Sequence, residues 1–342
     1  MGSVKAMKLN IIDEIPHRLL DVSSAELHQV LPGPTLLRIP GEKEPPLFVS
    51  TLLHGDEPTG FLAVQQLLNR YTRQEKPLPR SVWLFLGNVA AARDNMRHLP
   101  GQPDFNRMWK GGTFPEHLLA EQLLAILKSN KPFAGIDIHN TSGRNPHYAC
   151  VNKLDGQFIG LGKLFSPMIV YFTRPEEVIS RALAEFCTAI TVESGLARDP
   201  FGVDHVLDFL EQCLALDSIP TNTNNPTETR VYHSIARIEV PDNCRIGFGQ
   251  DCRETDFNFI ENLESMNFVE QAENTLVGWR HNPDLKLVVV DEQGQDVSEG
   301  FISYTNGEIR LIRSVVPSML TTFAPNVLDD CLGYLMQRYV LE

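Results

Sequence analysis

The sequence predicts an α/β fold, in which a sheet is flanked by helices, followed by a smaller β-rich C-terminal domain. Between about residues 36 and 215, apolar strand-like runs alternate with helical patterns, as in sheets covered by helices on both faces. A cluster of Pro, Asn and Thr at residues 218–230 is typical of a linker. Strand-like segments with few helical patterns then follow. We therefore predict an α/β domain in residues 1–222 and a β-rich domain in residues 223–342.

The strand-like runs are short, rich in β-branched and aromatic residues, and bounded by turn residues. In chain order, the first domain contains the runs TLLRI, PLFVSTLL, SVWLFLGNV, FAGIDIH, PMIVYF and TAITVES. Its helical patterns include HLLAEQLLAILKSN and HVLDFLEQCLAL. The second domain contains VYHSIARIEV, TLVGWR, LKLVVVDEQGQDV, GFISY and EIRLIRSVV.

Size and charge exclude several classes of protein. The chain has 342 residues, of which 42% are hydrophobic and 21% charged, enough for one large and one smaller domain. A net charge of −13 and a pI near 5.3 argue against nucleic-acid binding, which requires a basic surface. The sequence has neither a long apolar leader nor an apolar run near the ~18 residues of a membrane span. These features predict a cytoplasmic protein without a membrane partner that acts on small metabolites, and a homo-oligomer is compatible with them.

The cysteines indicate neither a disulfide framework nor a thiolate metal site. Because none of the six lies in a CxxC pair, we expect them to be reduced and mostly structural. They are Cys150, Cys187, Cys213, Cys244, Cys252 and Cys331.

Polar residues stand at the ends of several predicted strands. His54 and Glu57 follow the run FVSTLL, His139 ends FAGIDIH, and Glu193 lies near the end of TAITVES. Singly, each has a simpler explanation, such as a helix cap, a core histidine or an ion pair. Ligand sites in open α/β sheets lie beyond the carboxyl ends of the strands, so we expect these residues to converge. Two histidines and one carboxylate form a known catalytic zinc set, with a fourth position left for water.

Four motifs in order resemble the succinylglutamate desuccinylase/aspartoacylase family of the zinc carboxypeptidase clan. They are HGDE from residue 54, DFNR at 104–107, DIH at 137–139 and VESG at 192–195. The resemblance implies a zinc carboxypeptidase-like mixed sheet and a β-rich C-terminal domain. It also implies one zinc ion per chain, held by His54, Glu57 and His139, with Glu193 as the catalytic carboxylate.

The same resemblance assigns substrate binding to Asn106, Arg107 and an upstream arginine, for which Arg97 is the first choice and Arg93 a substitute. These residues hold the carboxylate of the substrate and polarise its amide carbonyl in the family. A guanidinium offers a planar fork that suits bidentate capture of a carboxylate. Arg107 has an alternative explanation as a surface ion pair. Two segments depart from the family pattern: ESGLARDPFG, and HNTSGRNPHY after His139.

We therefore predict a zinc-dependent hydrolase of amino-acid metabolism that cleaves the amide bond of a small N-acyl acidic amino acid, of the N-succinylglutamate or N-acetylaspartate type. Its substrate would be a small anion. Three alternatives remain: a metallocarboxypeptidase acting on peptides, a deacylase of another N-acyl amino acid, and a protein that binds metal without turnover. The presence of Glu193 argues against the last of these. Tyr304 would contribute a hydroxyl if its loop folds over the zinc.

Overall fold

The computed structural model describes residues 7–221, 229–249 and 254–341. The chain forms two compact units: the first comprises Met1–Asn140 and His147–Thr229, and the second comprises Thr141–Pro146 and Arg230–Glu342. Residues 222–228 of the predicted linker and Cys252 lie outside the described residues. The boundary predicted between residues 222 and 223 therefore stays a prediction.

The first unit alternates strands and helices, as predicted. Its strands are β1 (Asn10–Ile12), β2 (Thr35–Ile39), β3 (Leu47–Thr51), β4 (Val82–Leu86), β5 (Ala134–Thr141), β6 (Tyr148–Val151), β7 (Met168–Tyr171) and β8 (Ala189–Leu196). Its α-helices are α1 (Thr59–Arg73), α2 (Val89–Asp94), α3 (Pro115–Asn130), α4 (Gly156–Phe165), α5 (Ile179–Leu183) and α6 (Pro200–Ala215). The last residue of β5, Thr141, already belongs to the second unit.

These strands form a mixed sheet in the order β1-β2-β4-β3-β5-β8-β6-β7. Strand β3 runs parallel to both β4 and β5, whereas β2 is antiparallel to β4 and β6 is antiparallel to β8. The order places β3, β5 and β8 side by side, so the polar residues that follow or end these three strands are neighbours.

Helices cover both faces of this sheet. On one face, Gly135 of β5 lies against Leu183 of α5, so that a Cβ there would come within 2.9 Å of the leucine. On the other face, Ile138 of β5 packs against Gly60 of α1. Because strand side chains alternate between faces, residues 135 and 138 point in opposite directions. The α/β fold class predicted from the sequence is confirmed.

Local chemistry explains where two of the longer helices begin. The Asp155 carboxylate accepts the Gln157 N–H at the start of α4, and the Asp199 carboxylate accepts the Phe201 N–H at the start of α6. Each side chain satisfies one of the amides left without a partner in the first turn of a helix. Pro200 at the first position of α6 needs no such partner.

The second unit is β-rich, as predicted. It contains β9 (Arg230–Glu239), β10 (Ile246–Phe248), β11 (Phe257–Phe259), β12 (Leu276–Arg280), β13 (Val288–Asp291), β14 (Ile302–Thr305), β15 (Glu308–Leu311), β16 (Val316–Ser318), α7 (Ala324–Asp329) and β17 (Gly333–Tyr339). Strand β9 pairs with β13 and β17, and β17 pairs with β16. The remaining strands form a separate sheet in the order β10-β11-β12-β15-β14. The aromatic side chains of Phe257 and Phe259 are fully buried in its core.

Among the residues that the structure describes, no helix combines the length and apolar character needed to cross a membrane. The five cysteines among them are all free thiols.

Candidate metal centre and active site

Three neighbouring strands position the residues that the sequence singled out. His54 and Glu57 lie in the loop between β3 and α1, His139 lies in β5, and Glu193 lies in β8. His54, His139 and Glu193 are all buried, and Glu57 is nearly so.

The two histidines meet at the carboxylate of Glu57. His54 Nδ1 lies 2.7 Å from Glu57 Oε1, and His139 Nδ1 lies 2.8 Å from Glu57 Oε2. The two imidazole rings stand edge to face with their centroids 4.9 Å apart. One ligand atom from each of the three residues therefore lies within 4.8 Å of the others.

A second carboxylate holds each imidazole from its other nitrogen. His54 Nε2 lies 3.0 Å from Asp104 Oδ1, and His139 Nε2 lies 2.8 Å from Asp137 Oδ2. Asp137 is fully buried and accepts a hydrogen bond of 2.7 Å from Ser50 Oγ on β3. A proton on each Nε2 would leave the Nδ1 lone pairs directed towards Glu57, the arrangement expected of metal-binding histidines.

The charges in this cluster shift the pKa values of all three residues. Burial lowers the pKa of His139, but the carboxylates of Asp137 and Glu57 outweigh burial and raise it well above its ordinary value. The pKa of His54 is raised in the same way by Glu57 and Asp104, against burial and Arg97. Burial raises the pKa of Glu57, but the two histidines outweigh burial and hold it far below its ordinary range.

These residues fit a divalent metal ion. Without a cation, Glu57 approaches both Nδ1 atoms closely only if protons occupy the space between them, and a metal ion would replace those protons. Two imidazole nitrogens and a carboxylate are preferred ligands of zinc, and both imidazoles have the outer hydrogen-bond partners typical of metal sites.

Glu193 lies beside this cluster with an unsatisfied oxygen. Its Oε2 atom is buried and has no hydrogen-bond partner among the described residues. Burial raises the pKa of Glu193 to about 8, and the nearby carboxylates of Glu57 and Asp137 act in the same direction, against His139. A buried carboxyl group that can change its protonation near neutral pH is suited to proton transfer.

Asn106 reaches the same cluster from the DFNR segment. Its Nδ2 lies 3.2 Å from His139 Nε2, and its Oδ1 accepts the Ile179 N–H at the start of α5. The guanidinium of the adjacent Arg107 donates to the Asn106 carbonyl oxygen at 3.0 Å and lies near enough to Asp104 to lower its pKa. Asn106 therefore adjoins a metal candidate, His139, and Arg107 adjoins Asn106 and Asp104.

The sequence did not decide whether Arg97 or Arg93 is the upstream arginine of the site, and the two have different surroundings. Arg97 donates through Nε and Nη2 to Asp104 Oδ2, at 3.0 and 2.8 Å, and is thus one residue removed from His54. Arg93 instead pairs with its exposed neighbour Asp94. The structure brings Arg97 to the site and leaves Arg93 at the surface.

A close backbone contact explains the glycine of the HGDE motif. A Cβ at Gly55 would lie 2.2 Å from the carbonyl carbon of Ala91 and the amide nitrogen of Ala92, both in α2. The Gly55 N–H donates to the Arg97 carbonyl oxygen at 3.2 Å. Only glycine lets the loop carrying His54 and Glu57 lie directly against α2.

Sequence reasoning missed three site residues. Asp104 lies within a quoted motif, but its contact with His54 spans fifty residues and has no local signal. Asp137 lies two residues before His139 in β5, so strand alternation puts both side chains on one face, but it does not indicate that they bond. Asn140, next to His139, joins three segments of the site, and only its sequence position pointed to it. Tyr304 lies in the second unit, where its hydroxyl accepts the Leu287 N–H.

Comparisons with known proteins identify the family. Residues 43–212 match the family described as the succinylglutamate desuccinylase/aspartoacylase catalytic domain. No curated protein sequence matches the chain.

Solved structures show the same fold. A succinylglutamate desuccinylase from Chromobacterium violaceum is 15% identical, with a TM-score of 0.54 over 86% of this chain and 85% of that chain. A succinylglutamate desuccinylase/aspartoacylase from Rhodobacter sphaeroides is 14% identical, with a TM-score of 0.55 over 88% of each chain. Murine aminoacylase 3 is 13% identical, with a TM-score of 0.50 over 87% of this chain and 97% of that chain. Through its catalytic domain, the chain belongs to the succinylglutamate desuccinylase/aspartoacylase family.

Proposed function

We propose that the protein is a zinc-dependent hydrolase that releases the acyl group from a small N-acyl acidic amino acid, of the N-succinylglutamate or N-acetylaspartate type. The observation that carries this proposal is the juxtaposition of His54, Glu57 and His139 with the unsatisfied carboxylate of Glu193. Family membership supports hydrolysis of an N-acyl amino acid rather than another use of the same metal.

His54, Glu57 and His139 would hold one zinc ion per chain. A zinc ion in such a site would polarise the amide carbonyl as a Lewis acid and lower the pKa of a bound water to about 7. Its positive charge would also favour the ionised form of a nearby carboxylate. Asp104 and Asp137 orient the two imidazoles from behind, so that each keeps the tautomer needed for binding.

Glu193 would move the proton in this reaction. It takes the proton from the attacking water and returns it to the leaving amine, a role that contributes about 10²–10⁴-fold to the rate in enzymes. Its position on the strand beside His139 supports this role, as does a pKa raised by burial into the range where a proton can be accepted and returned.

Asn106, Arg107 and Arg97 would bind the substrate. Arg107 provides a guanidinium that can donate two parallel hydrogen bonds to a carboxylate of the substrate. Arg97, which is bonded to Asp104, would add positive charge that polarises the amide carbonyl of the substrate.

Zinc binding is tested by metal analysis. Purified protein is expected to hold about one zinc ion per chain, because two imidazoles and a carboxylate suffice for a catalytic site. The double variant His54→Ala with His139→Ala should hold none, whereas His28→Ala with His233→Ala, which leaves all three proposed ligands unchanged, should keep it. Undiminished zinc in the first double variant would remove the assignment.

The reaction is tested with a panel of substrates incubated with zinc-loaded protein, measuring release of free amine. The panel contains N-succinylglutamate, N-acetylaspartate, N-acetyl derivatives of neutral amino acids, and short peptides. Preference for the first two supports the proposal. Preference for the neutral derivatives would indicate another N-acyl amino acid deacylase, and preference for peptides a metallocarboxypeptidase. Bound zinc without turnover on any member would indicate a binding protein.

A further inference from the structure

Asn140 follows His139 in β5 and is buried at the point where three segments of the site meet. We infer that Asn140 is a positioning residue, which fixes Glu193 relative to the proposed metal ligands. This inference rests on the proposed function and adds to it a residue to which neither the motifs nor the metal set assigns a role.

The first contacts of Asn140 are with the segment that carries Glu57. Its backbone N–H donates to Glu57 Oε2 at 3.0 Å. Its side-chain Oδ1 accepts the Thr59 N–H at 3.2 Å, and its Nδ2 donates to Thr59 Oγ1 at 2.9 Å. The amide therefore holds the first residue of α1 at both its backbone and its side chain.

The other contacts are with the segment that carries Glu193. Asn140 Nδ2 lies 2.9 Å from the Gly195 carbonyl oxygen and 3.1 Å from Ser194 Oγ. Ser194 Oγ in turn donates to the His139 carbonyl oxygen at 2.7 Å. These bonds attach the two residues after Glu193 directly to β5.

One short side chain thus ties together the residues that follow Glu57 and Glu193, and its own residue directly follows His139 in β5. An amide side chain suits this position because its oxygen accepts the Thr59 N–H while its NH2 group donates to Thr59 Oγ1 and to the Gly195 carbonyl oxygen. A shift of about 1 Å in a reacting group can reduce a rate about 10²-fold, so losing the hydrogen bonds of Asn140 is expected to lower kcat. Asn140 acts through Glu193 and Glu57 and has no part in proton transfer.

The test replaces Asn140 with alanine in the zinc-loaded protein. Because the three metal ligands, Glu193 and the arginines remain, we expect zinc to stay near one ion per chain and KM to change less than threefold. We expect kcat to fall by about 10- to 100-fold, since Glu193 is no longer held at a fixed position relative to the metal ligands.

Asn69→Ala provides a matched control. The Asn69 amide is half-buried and joins α1 to the segment before β2, donating to the Leu20 carbonyl oxygen at 2.8 Å. Asn69→Ala removes an asparagine side chain that bonds to a distant backbone carbonyl but changes no residue of the site, and its kcat is expected to equal that of the unmodified protein.

Two readouts other than turnover separate positioning from a general loss of structure. Hydrogen exchange at the Thr59 amide, and at residues 193–195, should accelerate in Asn140→Ala while amides in β4 keep their protection. The visible spectrum of the cobalt-loaded variant should match that of the unmodified protein, since the three ligands to the metal are unchanged.

The outcomes divide clearly. A fall in kcat with metal content and distant protection intact supports positioning. A fall that follows the loss of metal, or faster exchange spread through β4, would show that Asn140 only stabilises the fold and would overturn the inference, as would unchanged kcat. If the unmodified protein hydrolyses no substrate, the proposed function fails by itself. Exchange at Thr59 then decides alone: unchanged protection overturns the inference and local loss upholds the contacts.

Discussion

At the scale of single residues, the convergence of His54, Glu57, His139 and Glu193 could be predicted, because each follows or ends an apolar strand and strand ends of an α/β sheet lie together. The partners behind them could not. Asp104 reaches His54 across fifty residues, and the choice between Arg97 and Arg93 depends on which arginine faces Asp104. Neither contact leaves a pattern in the sequence, because both depend on loop conformation rather than on strand or helix periodicity.

Replacing Glu193 with glutamine should separate proton transfer from metal binding. The amide is nearly the same size and can still hydrogen-bond to water, but it cannot accept a proton at neutral pH. We expect zinc content close to that of the unmodified protein and a fall in kcat of roughly two to four orders of magnitude. Metal analysis and steady-state kinetics measure both quantities. Loss of zinc would instead make Glu193 a ligand and Glu57 the base.

Replacing Arg107 with lysine should keep the charge but lose the fork. An ammonium cannot bind a carboxylate in the bidentate geometry of a guanidinium, so we expect KM for acidic substrates to rise about 10-fold, a loss of roughly 1.4 kcal/mol in binding. Neutral N-acyl amino acids should be affected much less. The exposed Arg73→Lys is the matched control. Equal effects on acidic and neutral substrates would contradict a role in binding carboxylates.

At the scale of elements, six predicted strand runs correspond to β2, β3, β4, β5, β7 and β8. Strands β1 and β6 were not predicted, because β1 has three residues and the four of β6 lie between polar neighbours, whereas the equally short β7 is part of the longer apolar run PMIVYF. β6 nevertheless pairs Tyr148 with Glu193 in antiparallel register. The segment Thr141–Pro146 was noted for its unusual sequence, and only tertiary contacts reveal that it belongs to the second unit.

The contact between Gly55 and α2 predicts a stability effect. In Gly55→Ala, the new methyl group would overlap the backbone of Ala91, and neither backbone segment can move aside without losing hydrogen bonds. We expect a loss of about 1–3 kcal/mol in the free energy of unfolding, measured by urea titration. Gly300→Ala is the control, because a Cβ at residue 300 meets no atom within 4 Å. Equal stability of the two variants would contradict the steric explanation.

The anchoring of segment 141–146 predicts a pH dependence. Glu264 accepts the Arg144 N–H at 2.9 Å and the Thr322 N–H at 2.8 Å. Burial raises the pKa of Glu264, but these hydrogen bonds outweigh burial and leave it below the ordinary value of 4.5. A carboxylate with a depressed pKa contributes stability that is complete above pH 4.5 and is lost as the pH falls through the lower, folded-state value.

Glu264→Gln should therefore lower stability at pH 6 and flatten its decline in acid, as measured by urea titration between pH 3 and 6. The exposed Glu261→Gln should reproduce the behaviour of the unmodified protein. A steep decline that persists in Glu264→Gln would assign the acid sensitivity to other carboxylates.

At the scale of the whole molecule, composition and the alternation of elements were sufficient to predict an α/β unit and a β-rich unit, because both depend on pattern rather than on detail. The cytoplasmic location remains a prediction. The proposed metal site joins strands that are distant in sequence, so an ion bound there by the folded chain alone should stabilise the entire first unit.

Removing the metal should therefore lower the unfolding temperature. At zinc concentrations 100 times the dissociation constant, binding contributes about 2.7 kcal/mol, and a chelator should abolish this contribution. Differential scanning calorimetry with and without chelator measures it. The chelator should have no effect on His54→Ala with His139→Ala. Identical unfolding temperatures with and without chelator in the unmodified protein would argue against a resident metal.

The hydrogen bond from Gly55 to the Arg97 carbonyl oxygen, together with the contacts from Arg97 through Asp104 to His54, places a proposed metal ligand and a proposed substrate-binding residue in one hydrogen-bonded network. We therefore expect binding at either position to change the free energy of binding at the other. Such coupling is reciprocal: a metal ion that tightens an anionic substrate by a given factor must itself be held more tightly by that factor when the substrate is bound. Bound substrate would thus slow the removal of the metal by chelators. When metal is scarce, the protein would lose its metal most readily in the absence of substrate.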